Sequence, residues 1–311
     1  MMKRVIAIIL NGTAILFGGT TFAEDTSLYV ITLGTGIPLP NPARGTAATL
    51  VVAGDRSVLV DTGRRSMENL VATGRQSVDI VVFTHFHSDH IADFGEYMMN
   101  RGVAGVDTPQ RVFGPAGTQS VVDNFLQLYS VDTGYRVAHH GVHWPPNAMK
   151  ADVKECAPGT ILDEDGLKIT MFNVDHEPIE PAVGYKIEFG GKSVVISGDT
   201  KPTPKMAEMA KGADILVHEA MNTKILTGVR NGMRTGNPRM GQMLDDLMNY
   251  HSGTLEVAAI ARDAGVKKLV ITHLVPSIQP TDAAEKAFTQ GMAEVYAGPI
   301  VVARDGMRID P

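Results

Sequence analysis

The chain has little cysteine, little tryptophan and no excess of positive charge. Its 311 residues hold one Cys and one Trp, and 28 Lys and Arg stand against 34 Asp and Glu, a formal net charge of −6. A single Cys156 excludes an internal disulfide, so stability has to come from a core or a metal. Cys156 lies in the loop-like Glu155-Cys156-Ala157-Pro158, away from every ligand motif, and reads as inert. The acidic balance provides no global basic field to hold a polyanion such as tRNA. A nucleic-acid polymer is therefore not an expected partner, and small substrates are favoured. Beyond residue 23 no apolar run is long enough to span a bilayer, so the mature chain needs no membrane. There is no low-complexity tract and no short tandem repeat.

What is present describes one large globular domain or two fused halves: 44% hydrophobic residues, 20% charged and 32 glycines. The N-terminus runs Lys3-Arg4, an apolar stretch from Val5 to Phe17 interrupted by Asn11, then small residues ending Thr21-Phe22-Ala23. That order reads as a cleaved secretory signal over 1–23, with an uncleaved anchor as the alternative. It leaves 24–311 as the functional domain and implies a periplasmic or secreted location.

Three imidazoles and a carboxylate crowd into Thr84-His85-Phe86-His87-Ser88-Asp89-His90, directly after the apolar run Ile80-Val81-Val82-Phe83. A buried strand ending at Thr84 lets the following turn bring His85, His87, Asp89 and His90 together. Their N and O donors suit Zn²⁺, with Mn²⁺ and Fe²⁺ sharing overlapping preferences. Three further motifs also place a polar residue where an apolar strand stops: Val174-Asp175-His176, Ile196-Ser197-Gly198-Asp199-Thr200 and Val270-Ile271-Thr272-His273-Leu274.

Strand-like runs alternate with helices in two halves of similar order. The first has strands at 28–33, 47–52, 57–60 and 79–83, helices at 66–72, 91–100 and 118–128, and a strand and turn at 111–115. The second has strands at 167–174, 182–189, 193–197, 215–217 and 268–272, with helices at 204–211 and 255–264. The pattern points to an α/β fold, an αββα sandwich of two mixed sheets flanked by helices with ligands along one edge. Residues 127–158 show little periodicity and read as an insertion or lid. Residues 222–250, with Met233, Met240, Met243 and Met248, read as a flexible cover.

These residues resemble the metallo-β-lactamase superfamily and, within it, the group of ribonuclease Z and the zinc-dependent arylsulfatases. The resemblance runs from Leu33-Gly34-Thr35-Gly36 to about Pro276. It implies two zinc ions, one held by His85, His87 and His176, the other by Asp89, His90 and His273, with Asp199 bridging. Asp61 in Val60-Asp61-Thr62-Gly63 would support the site from outside. Two metals about 3.5–4 Å apart can share a hydroxide and stabilise charge on the attacked centre. Val217-His218-Glu219-Ala220 and His251-Ser252-Gly253 resemble two further ribonuclease Z motifs. On that resemblance His251 donates a proton to the leaving oxygen and Glu219 orients it, and Asp89 joins them as catalytic. A helix N-cap for His251 and a surface strand end for His218-Glu219 are the structural alternatives.

Departures from ribonuclease Z shape the substrate expectation. Only about two dozen residues separate His176 from Asp199, too few for the family's tRNA arm, and its proline-lysine-arginine-asparagine loop is represented only by Pro42-Ala43-Arg44-Gly45. With export and acidity, these point to a small anionic ester, a sulfate ester slightly ahead of a cyclic-nucleotide or other phosphodiester. Arg44 would meet one anionic oxygen, and His139, His140 and Trp144 would line the mouth. A lactonase or thioesterase on the same site, and a metal-dependent binding protein without turnover, are the alternatives. A homodimer is left open.

Overall fold

Alternation at a period of two decides which way each strand faces. Val82 points into the space between two sheets while Val81 points out to helices, and Val194 and Val195 divide the same way. The computed structural model describes residues 26–311. Its strands are β1 (Leu28–Gly34), β2 (Ala48–Ala53), β3 (Arg56–Val60), β4 (Ile80–Val82), β5 (Gln110–Gly114), β6 (Ala151–Glu155), β7 (Gly159–Glu164), β8 (Leu167–Asn173), β9 (Val183–Phe189), β10 (Lys192–Ile196), β11 (Ile215–Met221), β12 (Leu269–Val275), β13 (Ile300–Val302) and β14 (Met307–Ile309). Its helices are α1 (Ser66–Ala72), α2 (Ser88–Ile91), α3 (Phe94–Val103), α4 (Thr118–Leu128), α5 (Ser130–His140), α6 (Pro204–Met209), α7 (Thr223–Gly236), α8 (Pro238–Leu247), α9 (Thr254–Ala264), α10 (Asp282–Phe288) and α11 (Met292–Val295).

Two seven-stranded sheets result, ordered β14-β1-β2-β3-β4-β5-β6 and β13-β12-β11-β10-β9-β8-β7. Both are mixed. In the first, β3 to β6 run parallel and the rest antiparallel; in the second, β10 to β13 run parallel. The inner faces bury Val30, Val58, Val82, Ile169, Tyr185 and Val217 against one another. Leu70, Phe94, Tyr97 and Val122 of α1, α3 and α4 cover the first sheet, and Met206, Val257, Ala261 and Phe288 of α6, α9 and α10 cover the second. This is the expected αββα sandwich. The last strand, β14, returns to pair with β1, so the C-terminus closes the sheet that the N-terminal half began.

Parallel strands finish at a common edge, because each helical crossover returns the chain to the same starting side. The residues following β3, β4 and β10, and those at the end of β12, therefore share one rim.

Several expected elements differ. The single helix over 91–100 is two, α2 and α3, because the Asp93 N–H leaves the helical path to donate to Thr62 O at 2.8 Å. The stretch 127–158 holds α5, which buries none of its residues, and β6, an edge strand of the first sheet. The apolar residues of α5, Val131, Tyr135 and Val137, face solvent rather than the core. Residues 222–250 form the two helices α7 and α8, each begun by an asparagine: Asn222 accepts from Ile225 N and Asn237 from Met240 N. The proposed signal over 1–23 lies outside the described residues. Among the described residues no helix is long and apolar enough to cross a membrane.

Candidate metal centre

The apolar β4 carries the chain to the rim, where Thr84 and Asp61 lock together. Asp61 accepts from Thr84 N and from the Thr84 hydroxyl, both at 2.8 Å, and holds His90 Nδ1 at 2.7 Å. Its backbone is left-handed (φ 62°), a conformation that Asp tolerates better than most residues. After His85 the chain turns at His87 into α2, which delivers Asp89 and His90 from its first turn. Gly198, at φ 63°, lets Asp199 approach: a Cβ there would lie 2.8 Å from Val183 O and 3.0 Å from the Thr84 Cβ. His273 is the unpaired residue of a bulge, since β11 and β12 pair Glu219 with Thr272 and then Ala220 with Leu274. Its φ of 43° re-aims the imidazole off the sheet.

All seven expected ligands converge. His85, His87, His176 and Asp199 form one group and Asp89, His90 and His273 another. In a tetrahedral zinc shell with bonds of about 2.0 Å, donor atoms stand about 3.3 Å apart. Here His85 Nε2 lies 3.0 Å from His87 Nδ1 and 3.9 Å from Asp199 Oδ2, which is also 3.9 Å from His176 Nε2. In the second group His273 Nε2 is 3.2 Å from Asp89 Oδ2 and 3.4 Å from Asp199 Oδ2, and His90 Nε2 is 3.4 Å from Asp199 Oδ1. Asp199 thus stands between the groups as a bridge would. His90 Nε2 and His176 Nε2 are buried with no protein partner. Buried orphan nitrogens aimed at carboxylates fit a binuclear metal site.

The charges agree with that fit. Burial pushes His85 well below the usual imidazole value, with His90 acting the same way, and burial also lowers His87 and His176. Burial would raise Asp199, but His273, His90 and His85 hold it well below the carboxylate range. Burial also opposes charge on His90, yet Asp199, Asp61 and Asp89 hold its pKa well above normal. His85, His87 and His176 held neutral beside an ionised Asp199 are in the states that metals require, whereas His90 is held as a cation and would give up its proton to a metal. Outside the ligands, Thr84 Oγ1 lies 3.1 Å from His85 Nδ1, and the Tyr250 carbonyl lies 3.1 Å from His176 Nδ1.

His251 adjoins the cluster, its ring centroid 5.5 Å from that of His273 and 5.6 Å from that of His176. Glu219 Oε1 holds its Nδ1 at 2.9 Å. Burial lowers the His251 pKa, but Glu219 and then Asp199 and Asp89 outweigh it and push it up to about 9. His218 and Glu219 are both buried, so the surface strand end does not apply. A cavity of about 420 Å³ opens over Asp89, Asp199, His251 and His273, walled by Ile37, Leu39, Met243, Leu244, Leu247 and Tyr250. The helices α7 and α8 pack through Leu226 and Leu244 onto Ile37, Met221 and Val275.

The four expected substrate contacts are not brought to this cavity. Arg44 is buried, donating from Nε to Ile278 O at 2.8 Å and from Nη1 to Thr35 Oγ1 and Ala303 O at 2.7 Å, so it braces three loops. Trp144 is buried with Met99 and Ala148, over the helix position of Gly102. Its apolar ring fills a hollow on α3, and the Arg136 guanidinium lies over it at 5.7 Å. His139 and His140 sit exposed at the C-terminal end of α5 and line none of this cavity. Sequence reasoning missed Tyr250 and the wall from Ile37, Leu39 and α8. Only the methionine pattern hinted at that wall, because apolar cavity linings share their composition with core.

Residues 56–274 match the family described as "Beta-lactamase superfamily domain". The chain is 40% identical over 257 residues to Ribonuclease Z of Mycobacterium marinum, covering 81% of this chain and 88% of that protein. It is 37% identical over 288 residues to Ribonuclease Z of Mycobacterium bovis, covering 91% and 98%. Among solved structures, the metallo-β-lactamase fold protein YhfI from Bacillus subtilis superposes with a TM-score of 0.68 at 20% identity, over 92% of this chain and 100% of that one. Human tRNase Z, short form, gives 0.65 at 18% identity, over 91% and 98%; both likenesses are of fold. Two expectations change. Kinship with ribonucleases overturns the exclusion of nucleic-acid polymers, because a net charge sums the whole surface and says little about a rim where cations meet phosphate. It also favours phosphodiesters over the sulfate esters placed first. The chain is a hydrolase of the β-lactamase superfamily and belongs, within it, to the ribonuclease Z family.

Proposed function

We propose that this protein is a zinc-dependent phosphodiesterase that cleaves RNA. One observation carries the reading: a buried His251, its Nδ1 held by Glu219 Oε1 at 2.9 Å, beside the two ligand groups. An unactivated phosphodiester expels an alkoxide, which leaves only if protonated as the bond breaks. A nitrophenyl ester has no such need. When bound, a pair of divalent cations supplies hydroxide at neutral pH and offsets charge developing on phosphorus.

The remaining roles belong to the chain. His251 delivers its proton from Nε2, since Nδ1 is engaged by Glu219. Glu219, with Asp199 and Asp89, favours the protonated imidazole that this role needs. Glu219 Oε1, accepting also from Thr200 N at 3.0 Å and Ser252 N at 3.3 Å, keeps the imidazole aligned. Asp61 and the Tyr250 carbonyl fix His90 and His176. The apolar wall of Met243, Leu244 and Leu247 excludes water and offers a face to a nucleobase. The chain between His176 and Asp199 is spent on the β9–β10 hairpin, so RNA is held by other surfaces.

The test is turnover by purified, zinc-loaded protein on an RNA oligonucleotide, a bis(nitrophenyl) phosphodiester, a nitrophenyl sulfate and a lactone. Cleavage of the RNA and the diester, lost on chelation, supports the proposal. Turnover of the sulfate or lactone with both phosphodiesters untouched overturns it. Export through residues 1–23 is a further proposal, checked by whether the N-terminus of protein recovered from the periplasm begins at Glu24.

A further inference from the structure

A metal-binding imidazole keeps its alignment and basicity only when its other ring nitrogen is held. Three ligands have such a partner: Asp61 for His90, the Thr84 hydroxyl for His85, and the Tyr250 carbonyl for His176. His273 does not. It turns Nε2 toward Asp89 and Asp199, and its Nδ1 is buried without a protein partner. It is also the bulged residue of β12, with the least support from the ladder.

Two other buried polar atoms lack a protein partner close by, Glu219 Oε2 and Thr272 Oγ1. All three residues line one small space of about 30 Å³, which His90 and Asp199 line too. A bound water needs only about 10–15 Å³ and two to four polar partners. We propose that one ordered water occupies this space, accepting from His273 Nδ1–H and donating to Glu219 Oε2 and Thr272 Oγ1. Glu219 is then a positioning residue for two groups together: Oε1 holds the proton donor His251 directly, and Oε2 holds the metal ligand His273 through the water.

The direction of each hydrogen bond is determined. Oε1 accepts from His251 Nδ1, Thr200 N and Ser252 N, at 2.9, 3.0 and 3.3 Å. Three donors on that oxygen leave Oε2 as the acceptor facing the space. In Glu219→Gln the amide oxygen has to stay with those donors, which turns the NH₂ toward the water. The water then meets donors from both Gln and His273 and loses its main acceptor, so His273 is no longer held.

The experiment measures zinc affinity without substrate, so it stands or falls separately from the RNA proposal. Metal-free protein is refilled with zinc against a chromophoric chelator, for the native chain and for Glu219→Gln, Thr272→Val and His251→Gln. Glu219→Gln is expected to weaken one of the two zinc equivalents by about 10–100-fold, the usual cost of losing such a support. Thr272→Val, nearly isosteric, should weaken the same equivalent by a smaller factor, and His251→Gln should leave both unchanged. In the metal-free native protein the His273 Nδ1–H resonance should show a cross-peak to water that Glu219→Gln removes. Native affinity at both equivalents in Glu219→Gln overturns the proposal, as does a His251→Gln loss equal to that of Glu219→Gln. If Glu219→Gln fails to fold by circular dichroism, Thr272→Val decides alone: unchanged affinity at both equivalents overturns it.

Discussion

Replacing His251 with alanine separates proton donation from every other property of the site. The Glu219 carboxylate keeps Thr200 N and Ser252 N as donors, so it stays in place when the imidazole goes. Asp61, the Thr84 hydroxyl and the Tyr250 carbonyl still hold His90, His85 and His176, and both metal equivalents should remain. What disappears is the proton for the departing oxygen. General acid catalysis contributes about 10²–10⁴ in rate, which is about 3–5 kcal/mol of barrier. His251→Ala should therefore lose about 10²–10⁴ in kcat on RNA or a dialkyl phosphodiester, and less than about tenfold on bis(nitrophenyl) phosphate, whose leaving group departs without a proton. The assay is steady-state kinetics on both substrates at matched zinc content, confirmed by metal analysis. Equal losses on the two substrates, with both metals retained, would remove His251 from the acid role.

Four further outcomes are expected. Asp199→Ala should abolish activity and reduce metal stoichiometry together, because Asp199 belongs to one ligand group and lies 3.4 Å from His90 and His273 of the other; full turnover by that variant refutes the assignment. Asp61→Asn keeps a residue that tolerates the left-handed backbone but turns an NH₂ toward a Thr84 or His90 donor, so zinc affinity should fall about 10–100-fold in chelator competition. In the metal-free protein His251 should titrate near 9 by NMR. A raised pKa stabilises the folded state fully below the unfolded value of about 6.5, and that contribution is lost as pH rises toward 9, so the Tm of metal-free protein should drop across that window and His251→Ala should flatten the drop. Arg44→Ala should lower Tm, through about 3–5 kcal/mol lost when a buried charged anchor is removed, while KM on the diester stays native; a raised KM with native Tm would return Arg44 to substrate binding.

The metal ligands were legible because chemistry and spacing coincide. His85, His87, Asp89 and His90 are near neighbours in sequence, so a turn alone brings them together. His176, Asp199 and His273 each end an apolar strand, a pattern that parallel sheets impose when strands deliver side chains to one rim. Arg44 was misread because an arginine in a proline-rich loop looks the same whether it faces solvent or carbonyl and hydroxyl partners inside the fold. Trp144 was misread for a related reason, since nothing local tells a stacking face from a ring that fills a hollow over Gly102. The helix α5 and edge strand β6 were missed although Val131 and Tyr135 stand four apart, the helical interval, because their apolar residues are few and none of those on α5 joins the core.

Residue order by itself determined the layered architecture and the donor set, because both follow from short-range patterns: alternation along strands, helical periodicity between them, and histidines and carboxylates at strand ends. Only the tertiary structure decided that a bulge aims His273, that Arg44 and Trp144 turn away from the cavity, and that α8 walls it. Those are contacts between segments distant in sequence, and their geometry is set by sheet register and packing that no local stretch encodes.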